Sequence, residues 1–414
     1  MAGARVLLAP ILLSVLLVLS IAGSPATAFR DSQVVIAVDL SHQQPTEGLD
    51  VIVGSCPDCY WVLILLDEAQ REAVEEGVLA LFNEARTGGL SSANLEDVDV
   101  LLIGQPQTPL TEEEISAIAS WFSTGNKALW IAGDSDYPAG GNEIAQLAVN
   151  QVLEAVGSVI RIDFVSVEDS KANAGALYRV TGIIDPTGPI APYLTQGLEY
   201  GKVLFHGPGA LYILVDGEPV NPARQPELLP PNVFIIVRTT DQSYVVEHQT
   251  DPTQGQNPAV FYDPLNDEVN TGPFPLMMAE VFDNNRIVIA SSESMYDGYE
   301  PMTAASYYDV PLDGPVFVPN VIKLMINIVT GEIALAPVTV ETVTVTETVV
   351  ETTTVVRTTT STMVQTETVT ETKTEVSTTT QLETTTEVVT ETNWGISIGL
   401  FILGLIIGAA ALYL

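Results

Sequence analysis

Apolar residues fall along this chain in two alternating rhythms, short unbroken runs and longer stretches with helical spacing. Val98 to Ile103 is a short apolar run ended by Gly104 and Pro106, the pattern of a strand buried on both faces. Thr111 is followed three residues later by Glu114, a capping box that opens a helix. Ile115, Ile118, Trp121 and Phe122 then recur at helical spacing, and Gly125 stands where a left-handed C-terminal cap belongs. Lys127 to Ala132 is a second buried strand. Strand, helix and strand joined by short loops make a right-handed βαβ unit, the building block of a parallel sheet. The loop Gly133-Asp134-Ser135-Asp136-Tyr137 leaves the carboxyl end of a strand, where open α/β sheets place their ligands.

The same pattern extends in both directions. Val34 to Val38 predicts a first buried strand, running into Asp39-Leu40-Ser41-His42. Val51 to Val53 predicts a short strand, and Trp61 to Ala85 a helix with an apolar stripe from Leu63 to Phe82, stopped by Gly88 and Gly89. Asn142 to Val156 predicts a helix closed by Gly157, and Val159 to Val167 a strand. From about residue 171 to 256, Pro and Gly become frequent and only short β-like runs remain: Leu177–Ile184, Lys202–Phe205, Ala210–Val215, Val233–Thr239 and Ser243–Glu247. That stretch reads as a β-rich insertion or a second lobe. Phe274 to Phe282 then predicts a helix, Arg286 to Ala290 a buried strand, and Phe317 to Val329 a last helix ended by Gly331. The strand at Arg286 exits into Ser291-Ser292-Glu293-Ser294, echoing the loop at Asp134.

Both ends change the picture. Met1 to Ala28 has the charged start, apolar stretch and Ala26-Thr27-Ala28 cleavage site of a signal peptide, with an uncleaved anchor as the rival reading. Residues 29–336 are then the extracellular α/β domain. In residues 337–393, 25 of 57 residues are Thr, a low-complexity stalk with candidate O-glycosylation sites, and no Asn-x-Ser/Thr sequon occurs in the chain. A coiled coil is the alternative there, but its heptad register is not held. Trp394 to Leu414 carries no charged side chain and is long enough to cross a bilayer as one helix. A removable lipid-anchor signal is the other reading. The expected localisation is therefore a single-pass cell-membrane protein with its bulk outside.

The formal charge is −37, from 52 acidic and 15 basic residues. Phosphate binding needs clustered Lys and Arg, so nucleic acid is a poor partner. Cys56 and Cys59 form one Cys-Pro-Asp-Cys motif. A strand before it and a helix after it would be a redox-active setting; a small structural disulfide, two free thiols and half a zinc site are the other states. Asp39, His42, Asp134, Ser135, Asp136, Glu293 and Ser294 all follow predicted strands at one sheet edge and form the candidate ligand-binding set. Asp39, Asp134, Asp136 and Glu293 offer the oxygen ligands that Ca²⁺ or Mg²⁺ takes, although Pro138 and Ala139 break the EF-hand pattern that Asp134-Ser135-Asp136 begins. No organic cofactor is expected. Ser135 as a nucleophile would need His42 or His206 as its base, since His248 lies in a polar segment.

Four stretches together resemble the class I glutamine-amidotransferase-like domains: Asp39-Leu40-Ser41-His42, Val98 to Gln105, Leu110 to Ile115, and Ala132-Gly133-Asp134-Ser135. They look closest to the extracytoplasmic domains associated with gliding-motility-type ABC transporters, which are similar to a domain of intraflagellar transport proteins. The resemblance covers about residues 33–140 and returns at 286–330. It implies a flavodoxin-like sheet. Catalytic members need a Cys after the strand that here ends at Ala132, and this chain has Gly133-Asp134-Ser135, which implies a non-catalytic domain. The whole architecture resembles archaeal surface proteins. The expectation is a binding domain for a ligand, a transporter or an envelope protein; the alternatives are a surface hydrolase and a structural envelope protein.

Overall fold

The computed structural model describes residues 33–137, 141–248, 257–266, 268–297, 302–333 and 335, with the backbone of 341–361 and 371–391. The signal-peptide segment and the apolar stretch Trp394 to Leu414 lie outside the described residues. The chain divides into two units, Met1–Pro337 and Val338–Leu414.

In chain order the first unit begins β1 (Val35–Asp39), α1 (Leu49–Gly54), β2 (Tyr60–Leu65), α2 (Glu68–Ala73), α3 (Glu76–Leu79), β3 (Glu84–Thr87), α4 (Ser92–Leu95) and β4 (Val100–Ile103). It continues α5 (Glu112–Ser123), β5 (Ala128–Ala132), α6 (Glu143–Ala155), β6 (Ile160–Ile162), β7 (Ser166–Asp169), β8 (Arg179–Ile184) and α7 (Ala191–Leu194). Then come β9 (Lys202–His206), β10 (Leu211–Val215), β11 (Glu218–Val220), β12 (Val233–Arg238), β13 (Ser243–Val246), β14 (Pro275–Phe282), β15 (Arg286–Ser291), β16 (Ser306–Tyr307), β17 (Val310–Pro311) and α8 (Gly314–Val329). In the second unit β18 (Glu341–Ser361) pairs antiparallel with β19 (Glu371–Glu391).

Ten strands form one mixed sheet in the order β3-β2-β1-β4-β5-β15-β14-β12-β8-β9. The strands from β3 to β15 are parallel, and from β15 onward each pairing is antiparallel. This is an α/β fold. Period-two alternation divides the apolar residues of each strand between two faces. Ile36, Val38, Leu63, Leu102 and Trp130 pack with Phe317, Val321 and Met325 of α8 on one side. Ala37, Val62, Leu101, Leu129 and Ile131 pack with Ile118 and Phe122 of α5 and Val149 and Val152 of α6 on the other. Helices on both faces explain why the strands read as unbroken apolar runs.

The organising βαβ unit forms where the pattern placed it. The Thr111 side chain accepts from the Glu114 amide at 3.2 Å, and the Glu114 carboxylate accepts from the Thr111 amide at 2.9 Å. Gly125 takes φ 85° at the helix end, a conformation that a residue with a Cβ disfavours. Thr111→Ala is expected to lower stability by about 1 kcal/mol, read as a shift in the denaturant midpoint with unchanged slope.

Four elements differ from expectation. Trp61 to Leu65 is the buried strand β2, not the start of a helix, and residues up to Ala85 hold two short helices and β3. A short apolar run fits either period, and the slot beside β1 requires a strand buried on both faces. Val51 to Val53 lies within helix α1, with Leu49 and Ile52 buried one turn apart. Phe274 to Phe282 is β14, paired between β12 and β15; this tertiary slot overrides the helix preference of its Leu and Met residues. Val159 to Val167 is broken into β6 and β7 in separate sheets, because the Asp163 carboxylate accepts the amides of Val260, Phe261 and Tyr262. The β-rich stretch, open in the sequence between an insertion and a second lobe, adds strands to the main sheet. The chain leaves the parallel half after β5, and β8, β9 and β12 extend the same sheet.

Candidate functional site

The strand order reverses between β1 and β4, so the loops that follow these two strands splay apart at their carboxyl ends. Asp39 is the last residue of β1 and is fully buried. Its Oδ1 accepts from the Ser41 amide (2.9 Å) and the Ser41 hydroxyl (2.5 Å). Its Oδ2 accepts from Gln44 Nε2 (2.6 Å) and faces His42 Nδ1 at 2.8 Å. The other ring nitrogen of His42 faces Glu114 Oε2 at 3.3 Å. Burial alone would push the imidazole pKa down. The hydrogen bonds to Asp39 and Glu114, and their negative charges, outweigh it and raise the pKa to about 10. Burial would likewise raise Glu114, but His42 and the Thr111 backbone bring it down to about 2. His42 is thus an imidazolium clamped between two carboxylates.

Long-range contacts hold this cluster. The Tyr296 hydroxyl donates to the Asp39 carbonyl (2.6 Å) and accepts from the Gly104 amide (2.7 Å), bridging the exits of β1 and β4. Gly104 has no room for a side chain, since a Cβ there would stand 2.7 Å from the Tyr296 ring. Ser294 donates to the Tyr296 carbonyl. Beside the cluster opens a cleft of about 600 Å³. Ser91, Ser92, Thr108, Glu113 and Leu66 line it together with Ser41, His42, Thr111 and Glu114 of the cluster.

The structure divides the predicted candidates. Asp39 and His42 meet directly, and Ser294 joins them through Tyr296. Asp134, Ser135, Asp136 and Glu293 belong to the exits of β5 and β15. Burial raises Asp134 and Glu293 well above the carboxylate range, and the Asp297 charge adds to both. Asp136 is raised by burial to about 7 and accepts from the Ser166 hydroxyl (2.9 Å) and the His248 amide (2.7 Å). Ser135 Oγ accepts the Tyr137 amide at 3.2 Å, while both His42 ring nitrogens face carboxylates instead. Among the described residues, no group of three or more His, Cys, Asp or Glu is placed to hold a metal ion. Cys56 and Cys59 are joined as a disulfide. Helix α1 precedes the pair and strand β2 follows it, the reverse of the expected redox setting.

Sequence reasoning missed Glu114, Gln44 and Tyr296. Glu114 carried a signal, because a capping-box carboxylate lies at the start of a helix that follows a strand's carboxyl end. Gln44 and Tyr296 carried none.

No family model matches this chain, and no curated protein matches it. Among the described residues, no helix is long and apolar enough to cross a membrane. A solved structure described as "mmIFT52 N-terminal domain" aligns with a TM-score of 0.38 at 9% identity, covering 72% of this chain and 100% of that chain, a likeness too slight to carry an argument.

Proposed function

We propose that the chain is a membrane-anchored cell-surface binding domain, non-catalytic, whose ligand seats in the cleft beside His42. The carrying observation is the cleft's position at the carboxyl ends of β1, β2 and β3, beside the point where strand order reverses. Its lining combines Ser and Thr residues with Glu113, Glu114 and His42, which favours a small polar molecule, uncharged or cationic, over an anion. A hydrolase using His42 as base is disfavoured, since its ring is held as a cation with both nitrogens engaged.

The flavodoxin-like, transporter-associated reading is part of the same proposal. With edge strand β3 set aside, the parallel strands run second, first, third, fourth, fifth, the flavodoxin-like order. The proposed layout is a signal peptide over residues 1–28, the α/β domain, the Thr-rich stalk over 337–393 and a single-pass helix over 394–414, the charge-free final stretch supporting the anchor.

A ligand-observed NMR screen of amines, polyols and carboxylates tests the cleft. Amines or polyols are expected to bind and remain chemically unchanged. Ser92→Trp, at an exposed position of the lining, is expected to abolish binding and leave the melting curve in place. Absence of hits, or hits that survive the tryptophan, would sink the proposal.

A further inference from the structure

The Thr-rich second unit follows a strict positional rule. From Thr342 to Thr390 every even-numbered position is Thr, Val or Leu. All ten charged residues of β18 and β19, from Glu341 to Glu391, are odd-numbered. A chain without structure has no reason to keep such a rule, whereas period two is the repeat of a strand. The pairing of β18 with β19 preserves it. Glu341 stands opposite Glu391 and Val350 opposite Leu382, so odd positions meet odd and even positions meet even. Positions two apart share a face of a ribbon. One face of this ribbon therefore holds every charged residue of the two strands, and the other holds none.

The charge-free face consists of ten cross-strand rungs. Seven pair Thr with Thr, Thr352 with Thr380 among them, and the others are Thr344 with Val388, Val350 with Leu382 and Val356 with Val376. Thr and Val are β-branched and favour strands, and Thr opposite Thr is a favourable cross-strand pair. The other face holds eight Glu against Arg357 and Lys373. A two-stranded ribbon alone is marginal in water and needs a packed face. The face available for packing is the one from which every charge is withheld.

We propose that this charge-free face binds the same face of a second copy of the chain, so that two ribbons pair along their length. Each strand has 21 residues, so the ribbon is roughly 70 Å long and 10 Å wide. Two such faces cover roughly 700 Å² apiece, about 1,400 Å² together, within the range of stable interfaces. The face has no charges for an ionic partner and no large aromatic anchor for a groove or a bilayer surface. It does match itself. A twofold axis along the ribbon sets the Val350–Leu382 rung of one copy on the same rung of the other, and Val356–Val376 likewise. This arrangement leaves the two acidic faces outermost, whereas pairing through the charged faces would bring eight Glu of each copy together.

The test is thiol cross-linking of the full chain in detergent. Its two cysteines, Cys56 and Cys59, are joined to each other, so an introduced cysteine is the one free thiol. Thr352→Cys, on the charge-free face, is expected to give a covalent dimer with the short reagent bismaleimidoethane. Thr353→Cys, one residue on and on the charged face, is expected to keep the mass of one chain. Adding Thr380→Glu to Thr352→Cys puts an unpaired charge between the copies and is expected to lower the cross-linked yield about tenfold. Adding Thr379→Glu instead leaves the yield unchanged, and because both variants gain the same residue in the same strand, a loss of strand propensity alone would move them equally. Absence of cross-linking at position 352, or equal cross-linking at 352 and 353, overturns the proposal. So does an intact mass that places sugar on the Thr352–Thr380 rung of the parent chain, since glycan then covers the face. The cleft enters none of these outcomes, so the two proposals fail independently.

Discussion

Asp39→Ala is expected to destabilise the domain by about 3–5 kcal/mol, the range for removing one partner of a buried charge network. The substitution strips the acceptor from four groups at once: the Ser41 amide and hydroxyl, Gln44 Nε2 and His42 Nδ1. It also leaves the imidazolium of His42, itself 4% exposed, with Glu114 as its one carboxylate. Domains of this kind have roughly 5–15 kcal/mol in hand, so a large share of the stability goes with one side chain. Chemical denaturation measures it, with exposed Asp58→Ala as a control expected within about 0.5 kcal/mol of the parent. An Asp39→Ala midpoint equal to that control would mean that the network is not held as described.

The second large effect is an acidic stability optimum. His42 is raised from 6.5 to about 10, so its contribution is complete below about pH 6.5 and disappears as pH climbs through 10. Glu114 is lowered from 4.5 to about 2, so its contribution is present above 4.5 and is lost as pH falls through 2. These two shifts share one contact, which counts once; the rest of the His42 shift belongs to Asp39. Asp136 works in the other sense. Raised from 3.8 to about 7, it imposes no penalty below 3.8, and the penalty grows until pH 7. Asp134 and Glu293 are displaced in the same direction. Together these place the melting maximum near pH 4.5 to 6, with a decline toward pH 8 that the net charge of −37 reinforces by self-repulsion. A melting series from pH 3 to 9 reads it directly. Asp136→Asn should flatten the fall between pH 4 and 7, and Glu114→Gln should flatten the acid limb. A maximum at pH 8 or above would refute the argument.

How much of this was legible in the sequence depended on how local each cause is. The βαβ unit declared itself because Thr111, Glu114 and Gly125 act within one helix. Strands β2 and β14 did not, since their apolar runs fit two periods and only their neighbours in the sheet decide between them. Asp39 and His42 could be placed at the sheet edge because the strand before them was clear. That they form a closed charge network could not be read, because Glu114 arrives from a helix and Tyr296 from the far end of the domain. The separation of Asp134 and Asp136 from that network depends on a strand order that periodicity does not contain.

The ordering of the strands also sets a timetable. Strand β5 ends at Ala132, and its outer partner β15 begins at Arg286. At ribosomal speeds of about 5–20 residues per second, the edge Ala128-Leu129-Trp130-Ile131-Ala132 waits on the order of ten seconds or more for its partner. Helix α8, which covers one face, is made later still. The nascent chain therefore carries an apolar, unpaired strand edge through a long interval, when another copy's edge is as good a partner as its own. Its yield in a cell depends on what shields that edge during synthesis.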